Sequence, residues 1–243
     1  MKPTVLVLSI LTAIIAIPGC DRDDSRAAQP AAAPHAPPAT TTPATADAPR
    51  VVFLGDSLTA GLGVEAAEAF PALLGQQLIA ENLPNRVVNA GVSGDTTAGG
   101  LRRLDWLLRQ SPDILVVGLG GNDGLRGLDV RASEENLRAI VRRARDAGAD
   151  VLLLGMLIPP NYGPEYTTQF REIYPKIARE FGVPLVPFLL ENVGGDPRLN
   201  QPDGIHPTAE GHKVIARTVL PHLRPLLRSR AETSPSTRPT TAP

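Results

Sequence analysis

The chain has 243 residues, with 25 Asp and Glu against 24 Lys and Arg and 4 His, and its formal charge of −1 lacks the basic excess that nucleic-acid binding requires. Hydrophobic residues make up 42% of it, a globular proportion, but the 25 prolines crowd toward the two ends, so ends and middle are read separately. The one cysteine, Cys20, leaves the rest of the chain without any disulfide staple.

Residues 1–20 carry a positive charge at Lys2, a mostly apolar run from Val5 to Ile17 and small residues before Cys20, which is the layout of an export signal. The run is short for a membrane span, which needs roughly 20 apolar residues. Ile17-Pro18-Gly19-Cys20 resembles the lipobox of bacterial lipoproteins. That resemblance implies cleavage before Cys20, its lipidation, and a membrane-anchored place in the cell envelope or periplasm; a soluble secreted or periplasmic protein is the alternative. Residues 21–50, rich in Ala, Pro and Thr, cannot bury enough apolar surface to order themselves and predict an extended tether, in which His35 has no assigned role. Residues 229–243 have a similar composition and predict a disordered tail.

Between them, residues 51–228 read as one α/β domain in which short apolar runs alternate with amphipathic segments, the pattern of a parallel sheet built from βα units. Strands are predicted over 51–54, 86–89, 113–119, 151–157 and 183–188. Ile114-Leu115-Val116-Val117 is apolar on both alternating faces, so this strand should be covered by helices on both sides. Helical periodicity covers about 68–79, 97–108, 166–181 and 208–220. A further helix is predicted from an N-cap at Ser133, with Glu134 and Glu135 in its first turn, arginines late and Gly148 after its end.

Residues with chemical potential sit where strands stop. Gly55-Asp56-Ser57 begins at the end of the first strand, and ligands of open α/β sheets bind beyond the carboxyl ends of the strands. A serine there is by itself an ordinary helix cap. A serine nucleophile needs a base within reach and a group to orient that base. Asp203-Gly204-Ile205-His206-Pro207 supplies both: Pro207 keeps His206 out of the helical region, and Asp203 is close enough to fold back on the ring. The second and third strands end in Asn89-Ala90-Gly91-Val92-Ser93-Gly94-Asp95 and Gly120-Gly121-Asn122-Asp123. The Gly91 N–H and the Asn122 amide are suitable oxyanion donors beside the Ser57 N–H, each able to contribute on the order of 3–4 kcal/mol. Asp56, Asp95 and Asp123 read as loop caps. Ser93 falls short of a Gly-x-Ser-x-Gly elbow because Asp95 takes the last position. His212 and His222 lack any metal-binding spacing, and no metal or cofactor is expected.

These blocks, in this order, resemble the SGNH (GDSL) hydrolase family across residues 51 to about 225, most closely its bacterial thioesterase I, lysophospholipase and arylesterase branch. The resemblance implies Ser57 as nucleophile, His206 as base, Asp203 as its partner, and an oxyanion hole of Ser57 N–H, Gly91 and Asn122. It also implies a flavodoxin-like three-layer sandwich with a five-stranded parallel sheet in the order 2-1-3-4-5. Asn161-Tyr162-Gly163 and Ile173-Tyr174-Pro175-Lys176 resemble that branch's loop and helix beside the acyl pocket. The expected activity is hydrolysis of acyl esters, thioesters or lysophospholipids through an acyl-enzyme. A carbohydrate O-acetylesterase is the alternative within the enzymes, and a non-catalytic lipid-binding protein is the alternative outside them.

Overall fold

The computed structural model describes residues 47–233. The export signal, the lipidation site Cys20, most of the tether and residues 234–243 lie outside the described residues. In chain order the elements are β1 (Arg50–Gly55), α1 (Ser57–Ala60), α2 (Phe70–Ala80), β2 (Arg86–Gly91), α3 (Thr97–Leu108), β3 (Ile114–Gly118), α4 (Gly121–Leu125), α5 (Val130–Asp146), β4 (Asp150–Leu154), α6 (Pro164–Phe181), β5 (Leu185–Val186) and α7 (Ala209–Thr233).

The strands form one parallel sheet in the order β2-β1-β3-β4-β5, as expected. The chain leaves β1 in one direction for β2 and then crosses to the other side of β1 for β3. Right-handed crossovers therefore place α2 on one face and α3, α5 and α6 on the other. The helix contacts agree, since α3 packs on α5 and α5 on α6, while α7 returns to pack on α2. Every residue of β3 is buried, between β1 and β4 and beneath helices on both faces. The core fills both sides of the sheet, with Phe53, Leu54, Ile114, Leu115, Leu152 and Leu153 fully buried.

Several boundaries differ from the sequence-based expectation. The N-cap of helix α5 lies four residues before Ser133, at Asp129, which accepts from the Ala132 N–H at 3.0 Å. Starting a turn earlier turns Ser133 inward, where its hydroxyl donates to the Asp129 carbonyl at 3.0 Å and to the Asp123 carboxylate at 3.2 Å. Helix α7 runs through Pro221 and Pro225 to Thr233, past both the helix end expected at 220 and the domain end expected at 228. Each proline removes a helical hydrogen bond, but Leu220, Leu223 and Leu227 stay buried on its inner face. Arg224 pairs with Glu81 through two bonds at 2.6 and 2.8 Å, and Arg230 with Asp150 at 2.6 Å, so α7 is latched along its length.

The docking of α7 on α2 buries a titratable group. His212 is wholly buried, its Nδ1 accepts from the Phe70 N–H at 3.3 Å, and its ring stacks on Phe70. Burial pushes its pKa from 6.5 down to about 4. The unfolded chain thus binds a proton that the folded chain refuses between pH 6.5 and 4, and stability falls as pH falls through that window, by about 3 kcal/mol. His212→Leu should be the less stable protein at pH 8, where it orphans the Phe70 N–H, and should close that gap or overtake wild type at pH 4.5. Urea unfolding at the two pH values measures it, and a gap that does not change would contradict the buried neutral state.

Candidate active site

Strand register builds the site. Gly55 at the end of β1 is level with Gly91 at the end of β2 and Gly118 at the end of β3, so the segments that follow leave the sheet side by side. A Cβ at Gly55 would land on the Thr59 side chain, which is why the chain can double back so tightly into α1. Asp56 is the N-cap of α1 and accepts from the Leu58 N–H at 3.0 Å, which leaves Ser57 at the first helical position, almost fully buried.

His206 reaches Ser57 from 149 residues away, with Nε2 at 2.9 Å from Oγ. Its Nδ1 lies 2.6 Å from Asp203 Oδ2, and the other oxygen of Asp203 accepts from the N–H groups of Ile205 and His206 at 2.9 and 3.0 Å. The His206 N–H and ring, then the Ile205 N–H, hold Asp203 down at about 2, so it is a carboxylate at any working pH. A carboxylate only accepts, so the ring proton belongs on Nδ1 and the Nε2 lone pair faces Ser57.

The segment carrying His206 is pinned from both sides. Asn200 bridges Pro207, the Gln201 N–H donates to the His206 carbonyl at 2.7 Å, and Thr208 accepts from the Gly211 N–H at 3.3 Å as a cap for α7. The Gln201 side-chain amide donates to the carbonyls of Leu62 and Pro207 at 2.7 and 3.0 Å, tying the histidine loop to the exit of α1. Nothing in the sequence around Gln201 singles it out, because its partner Leu62 lies 139 residues away.

Asn122 lies on α4, its amide donating to the Asp95 carbonyl at 3.0 Å and lying 3.4 Å from Asp56 Oδ2, while its Oδ1 accepts from Arg126 at 3.3 Å. Next to it Asp123, buried, accepts from the N–H and hydroxyl of Thr97 at 2.9 and 2.6 Å and fastens α4 to the start of α3. Gly91 does not join this group as an anion donor. Its N–H is donated to Asn89 Oδ1 at 3.0 Å, and a Cβ there would meet the backbone of Ala60, so this glycine serves the close packing of β2 against α1. Gly94, three residues on, stands in a left-handed turn at φ 80° and shares a partner with Asn122, its carbonyl bound by the same Arg126 at 3.0 Å. Both glycines stand in one block of sequence, Gly91 as the last residue of β2 and Gly94 beyond its end.

Chemically, the arrangement pairs a hydroxyl with an imidazole poised to take its proton, a fixed carboxylate behind the ring, and amide donors to one side. A family model described as the GDSL-like lipase/acylhydrolase family matches residues 53–214. The chain is 45% identical over 183 residues to Esterase TesA of Pseudomonas aeruginosa, covering 75% of this chain and 91% of that protein. It is 44% identical over 183 residues to thioesterase 1/protease 1/lysophospholipase L1 of Escherichia coli strain K12, covering 75% and 86% of the two chains. Among solved structures, the crystal structure of TesA superposes with a TM-score of 0.71 at 45% identity, covering 73% of this chain and 99% of the other.

Asp56 has a pH consequence of its own. Burial raises its carboxyl from 3.8 to about 6, against the opposing pull of the Leu58 N–H, the charge of His206 and the Asn122 amide. The folded chain holds this proton more tightly than the unfolded chain, so the contribution to stability is present below pH 3.8 and lost as pH rises through 6. That direction opposes the His212 effect, and single variants separate the two. Between pH 4 and 8, Asp56→Asn should gain roughly 2 to 3 kcal/mol of unfolding free energy relative to wild type. Chemical denaturation at both pH values reads this, and parallel curves would contradict it.

Proposed function

The chain belongs to the GDSL-like lipase/acylhydrolase family and is a serine esterase, a carboxylic ester hydrolase, and from that premise we propose that Ser57, His206 and Asp203 carry its reaction. The observation behind this assignment is the relay from Ser57 Oγ to His206 Nε2 at 2.9 Å and from Nδ1 to Asp203 at 2.6 Å. Ser57 Oγ attacks the acyl carbonyl as His206 takes its proton, and Asp203 stabilises the imidazolium without itself being protonated. The tetrahedral oxyanion is met by the Ser57 N–H at the start of α1 and the Asn122 amide, with the Gly94 N–H as third donor in place of Gly91. Collapse expels the leaving alcohol or thiol, which takes the proton back from His206. Water then attacks the acyl-enzyme by the same route in reverse, releasing the acid and restoring Ser57.

For substrate, the reading extends to this chain the acyl chemistry of relatives named esterase, thioesterase and lysophospholipase. Four exposed large apolar side chains support an acyl chain rather than a sugar acetate. Leu62 follows α1, Leu125 ends α4, Leu157 follows β4 and Ile205 adjoins His206. All four lie on segments leaving the carboxyl edge of the sheet. For location, we read residues 1–20 as an export signal and Cys20 as a lipid anchor, on the strength of the apolar run and the lone cysteine that follows it.

Ser57→Ala and His206→Ala should each lower hydrolysis of 4-nitrophenyl butyrate by at least about 10³-fold, with unchanged thermal unfolding. A fluorophosphonate should label wild type at Ser57 and leave Ser57→Ala unlabelled. Turnover surviving in Ser57→Ala would overturn the nucleophile, and an unlabelled wild type would favour a non-catalytic lipid binder. Rates profiled from acetyl to long acyl chains, with lysophosphatidylcholine included, should peak beyond butyryl; activity confined to acetyl esters would favour the carbohydrate esterase. The mass of the mature N-terminus decides lipidation of Cys20.

A further inference from the structure

Arg103, on the second turn from the end of α3, spends its guanidinium on three segments of the site. Its Nε donates to Asp95 Oδ2 at 2.7 Å, Nη1 to the Ala90 carbonyl of β2 at 2.6 Å and Nη2 to the Gly55 carbonyl of β1 at 2.9 Å. The Gly55 carbonyl already accepts from the Val92 N–H at 3.0 Å, so the guanidinium is not needed to satisfy it. Gly55 directly precedes Asp56 and Ser57. Asp95, held by the guanidinium through its side chain, holds the Asn122 amide through its backbone carbonyl at 3.0 Å. Room for this carboxylate is built in, since a Cβ at Gly99 would land on Asp95 Oδ1. Arg103 and Asp95 are both mostly buried, at 22% and 13% side-chain exposure, where a charge pair is screened little and an apolar residue would pack at lower desolvation cost.

We infer that Arg103 is a positioning residue that sets the distance between the Ser57 N–H and the Asn122 amide, by clamping the end of β1 and the Asp95 segment to one rigid fork. The inference rests on the assignment of Asn122 as an oxyanion donor. A planar guanidinium bonded at three points fixes both the spacing and the plane of the groups it joins, which a lysine cannot do. The cost of losing it falls on the transition state, because the oxyanion exists only there, whereas ground-state binding of the acyl chain does not pass through these bonds.

A double-mutant cycle on 4-nitrophenyl butyrate hydrolysis tests this, using wild type, Arg103→Met, Asn122→Ala and the double variant. Arg103→Met should lower kcat on the order of 10- to 100-fold with KM changed less than about twofold. Asn122→Ala should lower kcat on the order of 100-fold. In the Asn122→Ala background, Arg103→Met should cost at least about threefold less than it costs alone, because one of the two groups whose spacing it sets is gone. Losses that multiply in full, or a rise in KM at constant kcat, would overturn the inference and leave Arg103 a structural bolt. A wild-type kcat in Asn122→Ala would instead overturn the oxyanion assignment, and the inference with it. Should Arg103→Met fail to fold, Asp95→Asn carries the test, since it leaves Arg103 on Gly55 and Ala90. It should lower kcat at least about fivefold alone and little in the Asn122→Ala background, and an unchanged kcat overturns the inference.

Discussion

Three parallel strands that finish level with one another create the geometry on which everything else here depends. Hydrogen-bond register sets Gly55, Gly91 and Gly118 side by side, and the backbone leaves the sheet at each of them within a few residues of a polar group. Ser57 is two residues past its strand, Asn122 four past its own, and Asp95 four past Gly91. Parallel ladders tolerate little slippage when both faces are buried, because a one-residue shift would exchange the side chains of β3 between two differently packed faces. The placement of the site is therefore underwritten by the same apolar contacts that hold the fold together.

Charge at this edge is handled in four ways. Asp123 is buried and answered by neutral donors of Thr97 and Ser133. Asp95 is answered by a cation, Arg103. Asp56 receives the Leu58 N–H and, at 3.4 Å, the Asn122 amide, yet burial outweighs both and lifts its pKa to about 6. Asp203 is the contrast: exposed enough to stay hydrated and given two backbone donors plus an imidazole, it falls to about 2. Two aspartates with opposite shifts thus flank one serine, and burial set against hydrogen-bond supply explains the difference. A permanent carboxylate is what an imidazole needs behind it.

Much of this was legible in the sequence. The five strands, their order, the placing of Ser57 and Asn122 just past strand ends and that of Asp203 and His206 on a loop at a helix entrance followed from apolar runs, turn residues and the resemblance those blocks carry. Helix ends are less legible. Asp129 and Ser133 are both good caps four residues apart, and the choice fell to Asp123, a buried carboxylate that draws Ser133 inward. Pro221 and Pro225 signal a helix stop, yet α7 continues, because burial of Leu223 and Leu227 against the core outweighs the lost backbone bonds.

The sequence by itself determined the kind of sheet, the family and which side chains bear chemistry, since periodicity and short motifs are local properties of the chain. What only the tertiary structure decided is which groups are free to act. Gly91 and Gly94 look alike in the sequence, but β2 extends far enough to give the Gly91 N–H to Asn89 and to press its Cα against α1, while Gly94 lies beyond the strand, beside Asn122. Arg103 and Gln201 carry no local signal either, because their partners sit at other strand ends and loops and come within 3 Å only when the sheet has formed. A hydrogen bond across 48 or 139 residues is a property of the fold, and the chain reveals it only by folding.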